Sequence, residues 1–411
     1  MNAPADAPRV AVICDYSLGY LGGAQTAMLQ EAAALAAAGA RVVMLSPSPD
    51  HVWQQVRPSG DIEHVRIPPR ATLPGLALPV VPNTRRLRVR LADLLAARRI
   101  QLVHLQSEFG LAAAATAVAD RLGLPVVHTV HTFFWQAPAP GQRLLAAGVR
   151  RFHRLLTGLP STTARLAERP GDSALRNMTL TVARQADLVL SPSAHQAQRL
   201  REAGLHRVDV LPNTVAELRD ATALTAITAP LKIIWVGRCV PEKRILPFVR
   251  AAVAALDRVG AEMIDFTVVG DGHQLDEARA IAGSRAGISF LGRQDHDHVI
   301  ELLAGSHLAA LTSYGFDNQP MTVVEAVMSL RGVLYCDPAL QEGLDGPGIL
   351  ASPEDAGLSD TLARLASDPG PVIAASRAAV AARAAFTPEH HAAELIMLYR
   401  RLIDGAGTGT R

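Results

Sequence analysis

The chain has 411 residues, 49% of them hydrophobic, and its 40 Lys and Arg nearly balance 38 Asp and Glu, for a net charge of +2. That length supports two or three domains, and near-neutrality argues against a dedicated nucleic-acid binder. Three cysteines, Cys14, Cys239 and Cys336, lie far apart in no paired spacing, which excludes a disulfide framework and points to a reducing compartment.

The N-terminal stretch MNAPADAPRV lacks a basic region followed by an apolar core and does not read as a signal peptide. No run of 18 or more apolar residues reads as a membrane span. A cytoplasmic location is expected. In chain order, Val10–Cys14 reads as a buried strand. The loop Leu18–Gly23, LGYLGG, follows and opens a helix at Ala24–Ala38, and its glycines let backbone approach a ligand. A strand at Val42–Ser46 comes next. The segment Pro68–Pro82, with prolines at 68, 69, 74, 79 and 82, reads as a long loop. Arg85–Arg99 and Arg143–Arg154 are basic and amphipathic, as suits either a solvated helix face or peripheral contact with an anionic membrane.

Further strands are expected at Leu102–Leu105, Val126–Thr129, Leu188–Leu190 and Val208–Leu211. His104 and His128 fall on such strands and read as core, whereas His131 follows one and is a candidate for function. After a break near residues 216–230, a second series runs through Ile233–Val236, Phe266–Val269, Ile288–Leu291, Leu308–Leu311 and Val333–Tyr335. The helix Pro388–Ile403 follows, then a tail, GAGTGTR, that is flexible by composition. The two series predict an α/β chain of two facing Rossmann-like domains with a deep cleft between them. The expected boundaries are 1–220, 221–387 and, for the last helix and tail, 388–411.

Two segments carry chemistry. In SYGFDNQPMTVVEAV, Ser313–Val327, Asp317 and Asn318 suit a helix N-cap and Pro320 suits the first turn. A helix beginning there, near Asn318–Met321, offers backbone N–H groups and a positive dipole end to a phosphate. Glu325, further along, suits a ribose diol. In LKIIWVGRCVPEK, Leu231–Lys243, a buried strand ends at Gly237, and Arg238 and Lys243 follow at its carboxyl end, where they would neutralise a diphosphate. The string Asp295-His296-Asp297 reads as a helix cap rather than a metal site.

These pieces occur in the order VGRCVPEKR (236–244), VVGDGHQ (268–274), ISFLGRQD (288–295) and the 313–327 segment. Upstream stand GGAQ (22–25), the stretch Leu102–Thr132, ADLVLSPS (186–193) and VLPNTV (210–215). The whole resembles a retaining glycosyltransferase of the GT-B fold, family 4. The resemblance implies that residues 1–220 bind the acceptor and 221–387 the nucleotide-sugar donor, and that the last helix crosses back to the first domain. It further implies that Gly22, Gly23 and His131 lie near the donor, that Asp317 orients the transferred sugar, and that Gly292 and Arg293 serve the base pocket. Asn318, Gln319, Pro320, Met321 and Glu325 complete the donor contacts. No cofactor or essential metal is expected.

The sequence departs from the family pattern at Asp317, where Glu is usual, at Arg244, where Gly is common, at Thr214, and at SLRGV (329–333). A UDP-sugar is the expected donor. A GDP-mannose-dependent mannosyltransferase, a non-catalytic sugar-nucleotide binder and an enzyme of another nucleotide-sugar reaction stay open. The acceptor, a lipid or a small glycoside or metabolite, is not named by these residues.

Overall fold

A computed structural model describes residues 7–19, 22–73, 78–138, 140–215 and 221–407. Outside them lie the start of MNAPADAPRV, Tyr20 and Leu21 of the glycine loop, residues 74–77 of the proline-rich segment, 216–220 of the break and 408–411 of the tail. The chain forms two compact units, one of Met1–Thr214 with Pro388–Arg411, the other of Val215–Thr387.

The first unit opens with β1 (Arg9–Ile13), α1 (Gly23–Ala37), β2 (Arg41–Ser46), α2 (Asp50–Val56) and β3 (Ile62–Arg66). It continues through β4 (Ala71–Leu73), β5 (Leu78–Val80), α3 (Arg85–Ala97), β6 (Leu102–Leu105), α4 (Gly110–Leu122) and β7 (Val126–Thr129). Then come α5 (Gln142–Thr157), α6 (Pro170–Ala183), β8 (Leu188–Ser191), α7 (Ala194–Glu202) and β9 (Val208–Val210). The second unit holds β10 (Leu231–Val236), α8 (Ile245–Val259), β11 (Ile264–Val269), α9 (Leu275–Ala282), β12 (Ile288–Gly292) and α10 (His296–Gly305). It ends with β13 (Leu308–Leu311), α11 (Met321–Met328), β14 (Gly332–Tyr335), β15 (Gly348–Leu350), α12 (Asp355–Ser367) and α13 (Gly370–Ala382). The last helix, α14 (Pro388–Gly407), belongs to the first unit.

Among the described residues each unit is built on a parallel sheet, in the order β3-β2-β1-β6-β7-β8-β9 and β12-β11-β10-β13-β14-β15. Both are Rossmann-like. Strand order reverses between β1 and β6 and again between β10 and β13, and ligands of open α/β sheets bind at the carboxyl ends of strands at such a switch. Apolar residues run continuously along the central strands because both faces are covered. Val10 and Val12 pack on one face with Met28 and Leu35 of α1, whereas Ala11 and Ile13 pack on the other with Leu111 and Ala115 of α4. Leu395, Leu398 and Tyr399 of α14 enter the same core as Val10 and Val12. No described helix is long and apolar enough to cross a membrane.

Two expectations are corrected. The segment Pro68–Pro82 is not simply a loop: β4 and β5 pair antiparallel, with Thr72 opposite Pro79. A two-stranded ribbon consists of edges, which tolerate proline. The last helix does not stop at Ile403 but continues through Gly405–Gly407. Two edge strands, β3 and β15, escape the sequence reading because they are short and only partly covered.

Candidate active site

In the second unit the loops after β10, β11, β12 and β13 all leave the carboxyl edge of the sheet. Lys243 follows β10 and Asp317 follows β13, the two strands flanking the switch point. Their side chains meet there: Lys243 Nζ donates to Asp317 Oδ1 at 2.5 Å. Ser313 Oγ donates to the other carboxylate oxygen of Asp317. Lys243 also lies 5.8 Å over the Phe316 ring. Thr312 ties the two loops together, since its hydroxyl donates to Lys243 O at 3.0 Å and accepts from Trp235 Nε1 at 3.0 Å. Arg238, on the same loop as Lys243, is exposed.

The helix start differs from the expected one. Pro320, in extended backbone, is the N-cap of α11, and the helix begins at Met321. Asp317 and Asn318 are not the cap, because they lie before Pro320, and the Asp317 carboxylate is held by Lys243 and Ser313. Asn318 and Gln319 are buried between the ion pair and the helix. Glu325 sits on the buried side of α11, its carboxylate 3.7 Å from His296 Nδ1. Burial raises the Glu325 pKa, and the His296 imidazole opposes that rise. His296 was legible only as part of a capping string. Its neighbour Asp295 is the cap of α10, accepting from His298 N at 2.9 Å.

The glycines of VVGDGHQ shape this edge. A Cβ on Gly270 would stand 1.8 Å from Gly237 O, and one on Gly272 would stand 2.5 Å from Cys239 O. Both have positive φ, so the loops after β10 and β11 pack backbone to backbone. Gly292 closes β12 at φ +66, and its carbonyl accepts from Gly270 N at 2.9 Å. Arg293 beside it is exposed. Two of the four departures from the family pattern also find reasons. Arg244 takes φ +56, the left-handed region that a glycine enters without cost, and its guanidinium donates to Pro353 O. Arg331 is buried and donates to Ser306 O at 2.7 Å, Ala304 O at 2.5 Å and Thr222 O at 2.9 Å, pinning the turn after α11.

In the first unit the switch lies between β1 and β6. Gly22 is the N-cap of α1 and Gly23 its first residue. The start of α4 is filled by the protein's own Asp15, which accepts from Leu111 N at 2.7 Å, Ala112 N at 3.1 Å and Ser107 Oγ at 2.8 Å. Glu108 is buried beside it and accepts from Tyr16 Oη at 3.1 Å. Burial pushes its carboxyl up to about 7. His131 is half-buried, with Nε2 2.6 Å from Gln106 Oε1. Burial brings the His131 imidazole down to about 4, although Glu31 opposes the shift. His104 and His128 are wholly buried.

Residues 21–217 match Glycosyltransferase Family 4 and residues 222–330 match Glycosyl transferases group 1. The chain belongs to the GT-B glycosyltransferases. This glycosyltransferase is 28% identical over 317 residues to the 2-deoxystreptamine glucosyltransferase of Streptomyces kanamyceticus, across 73% of this chain and 77% of that one. HepE of Anabaena, solved with UDP, matches at a TM-score of 0.67 and 16% identity, over 96% of this chain and 100% of that chain. The pneumococcal O-GlcNAc transferase GtfA, solved with UDP and GlcNAc, matches at a TM-score of 0.66 and 11% identity, over 97% and 99%. At such identities the two structures speak for the fold. Sequence reasoning singled out Lys243, Asp317 and Glu325 in the glycosyltransferase but missed Ser313, Thr312 and His296 as their partners, and Glu31 and Gln106 as those of His131.

Proposed function

We propose that this glycosyltransferase moves a hexosyl group from a UDP-sugar to an acceptor hydroxyl with retention of anomeric configuration. The observation that carries the reading is the meeting of Lys243 and Asp317 at the switch point between β10 and β13, with Glu325 buried in the helix that follows. Arg238 and Lys243 stabilise the charge that grows on the leaving diphosphate, with the α11 start at Asn318–Met321 beside them. Asp317 orients the transferred sugar and Glu325 holds the ribose. Gly292 and Arg293 border the base. Gly22, Gly23 and His131 enter through the family resemblance. No metal takes part. Support for the donor comes from HepE, which has been solved with UDP and with UDP-glucose. The 2-deoxystreptamine glucosyltransferase makes a small polyhydroxylated ring the first acceptor to try.

The test is a thermal-shift panel of UDP, GDP, ADP and their sugar conjugates with chelator present, with Arg238→Ala and Lys243→Ala alongside. A ligand at 100 times its Kd adds about 2.7 kcal/mol of stability. A UDP-selective shift that both variants lose, followed by chelator-insensitive turnover on an acceptor panel, is the expected result. A shift with GDP alone moves the reading to a GDP-mannose donor. No shift with any nucleotide overturns the donor site.

The surface also supports peripheral contact with an anionic membrane. On α5, Leu144 and Leu155 are 83% and 72% exposed, and their spacing puts them on one face, with Arg151 between. The arginines of α3, within Arg85–Arg99, add positive charge, and Val89 there is 48% exposed. Co-sedimentation with anionic but not neutral vesicles, lost in Leu144→Glu/Leu155→Glu, is expected. Equal pelleting of the variant removes this contact.

A further inference from the structure

Glu31 lies on the apolar stripe of α1 and is buried, as are Gln106 and His391. A buried carboxylate persists only where donors surround it. Gln106 Nε2 stands 2.6 Å from Glu31 Oε1, and His391 Nε2 from α14 stands 3.3 Å from Oε2. His104 Nδ1 is 3.2 Å from Oε1 and 2.6 Å from the Tyr399 hydroxyl. The other His391 nitrogen faces Pro212 O at 2.9 Å, so both ring nitrogens of His391 have acceptors as partners.

These contacts fix a direction. An ionised carboxylate only accepts, so the Gln106 group facing Glu31 is the amide NH2. The Gln106 carbonyl oxygen then points the other way, to His131 Nε2 at 2.6 Å. A carbonyl oxygen also only accepts, so His131 must donate from Nε2. We propose that Glu31 and Gln106 are positioning residues for His131, that they fix its ring as the Nε2–H tautomer, and that His391 of α14 anchors the far end of the chain of contacts by holding Glu31. The functional half rests on His131 acting in the transfer reaction; the tautomer half stands without it. Through this chain the last helix of the polypeptide reaches a residue on the loop after β7.

The test uses the full-length enzyme with 15N-labelled histidine. The His131 ring signals are assigned by their loss in His131→Asn. The wild type is expected to show a single tautomer protonated on Nε2. Glu31→Gln removes the acceptor-only group, so Gln106 can turn its NH2 toward His131, and the Nδ1–H form is expected to appear. Gln106→Leu, which leaves the Glu31 charge in place, covers the case in which Glu31→Gln fails to fold, and is expected to release the same tautomer preference. A wild-type His131 protonated on Nδ1, or spectra unchanged in both variants, overturns the relay.

Kinetics test the functional half. Each variant is expected to lower kcat on the order of 10- to 100-fold with little change in KM for the donor. The same substitution in a His131→Ala background is expected to cost almost nothing more. Equal losses in both backgrounds assign Glu31 and Gln106 a purely structural role and overturn the positioning claim. An enzyme with no turnover on any donor that still shows the Nε2–H signal fails the proposed reaction and keeps the tautomer assignment.

Discussion

The Lys243–Asp317 pair permits a quantitative test. At 2.5 Å two unit charges attract by roughly 7 kcal/mol at an effective dielectric constant of 20. The side chains are 20% and 9% exposed, so desolvation of both ions and the ordering of a long lysine return most of that. What remains is a coupling of about 1–3 kcal/mol, above the value for an exposed pair and below the gross attraction. The assay is a double-mutant cycle of Lys243→Met and Asp317→Asn by urea unfolding, repeated with UDP. Each single variant is expected to cost about 2 kcal/mol and the double variant clearly less than the sum. With UDP, Lys243→Met is expected to weaken binding on the order of 10- to 100-fold, the value of one charge-assisted hydrogen bond. Asp317→Asn, which keeps an acceptor for Ser313 and leaves the lysine in place, is expected to change UDP affinity little while lowering turnover. A coupling below about 0.5 kcal/mol would refute the claim that this pair joins the two loops at the switch point.

Gly270→Ala is expected to cost at least about 3 kcal/mol, because the new Cβ meets a backbone oxygen that cannot yield, while Gly292→Ala, with open space around it, should cost about 1 kcal/mol. Calorimetry on the two variants decides, and equal losses would deny the backbone packing of the loops after β10 and β11. Arg331→Met should lose about 3 kcal/mol by stranding several carbonyl oxygens, and a loss under about 1 kcal/mol would mean water replaces the guanidinium. Glu108 binds a proton in the folded state up to about pH 7, whereas the unfolded side chain releases it near 4.5. Its contribution is therefore fully present below pH 4.5 and lost as pH rises through 7. Glu108→Gln should remove that loss, so the variant gains on the wild type by about 3 kcal/mol between those limits. Urea melts across pH would show parallel curves if Glu108 titrates normally.

The central strands were legible because parallel sheets covered on both faces demand unbroken apolar runs, and Leu102–Leu105, Val126–Thr129 and Leu308–Leu311 have the bounds expected of them. The edge strands Val208–Val210 and Ile288–Gly292 were legible too, but Ile62–Arg66 was not, because it mixes charge with apolar residues where one side meets solvent, and the ribbon of Ala71–Leu73 with Leu78–Val80 hides behind its prolines. In the site, residue types were legible and partnerships were not. Lys243 suits a diphosphate and Asp317 a helix cap or a sugar hydroxyl, yet nothing local says that one neutralises the other across 74 positions; only the adjacency of β10 and β13 does. Asp317 also read as a cap, since an Asp shortly before a helix usually is one, but the helix starts later, with Pro320 as its cap. Arg244 shows the reverse case. Its φ of +56 explains why glycine suits the position, and the bond to Pro353 O explains how an arginine is tolerated there.

Glu31 left a signal that was available. Met28, Ala32 and Leu35 mark the buried stripe of α1, and a glutamate at the i+3 position of that stripe must find donors inside the protein. Pattern alone thus marks Glu31 as a buried charge in need of partners. It cannot reveal that those partners come from one strand and its end and from a helix 360 residues away. Burial is a local demand of the sequence, while the identity of the groups that satisfy it is a property of topology, and the glycosyltransferase builds its histidine relay from the second.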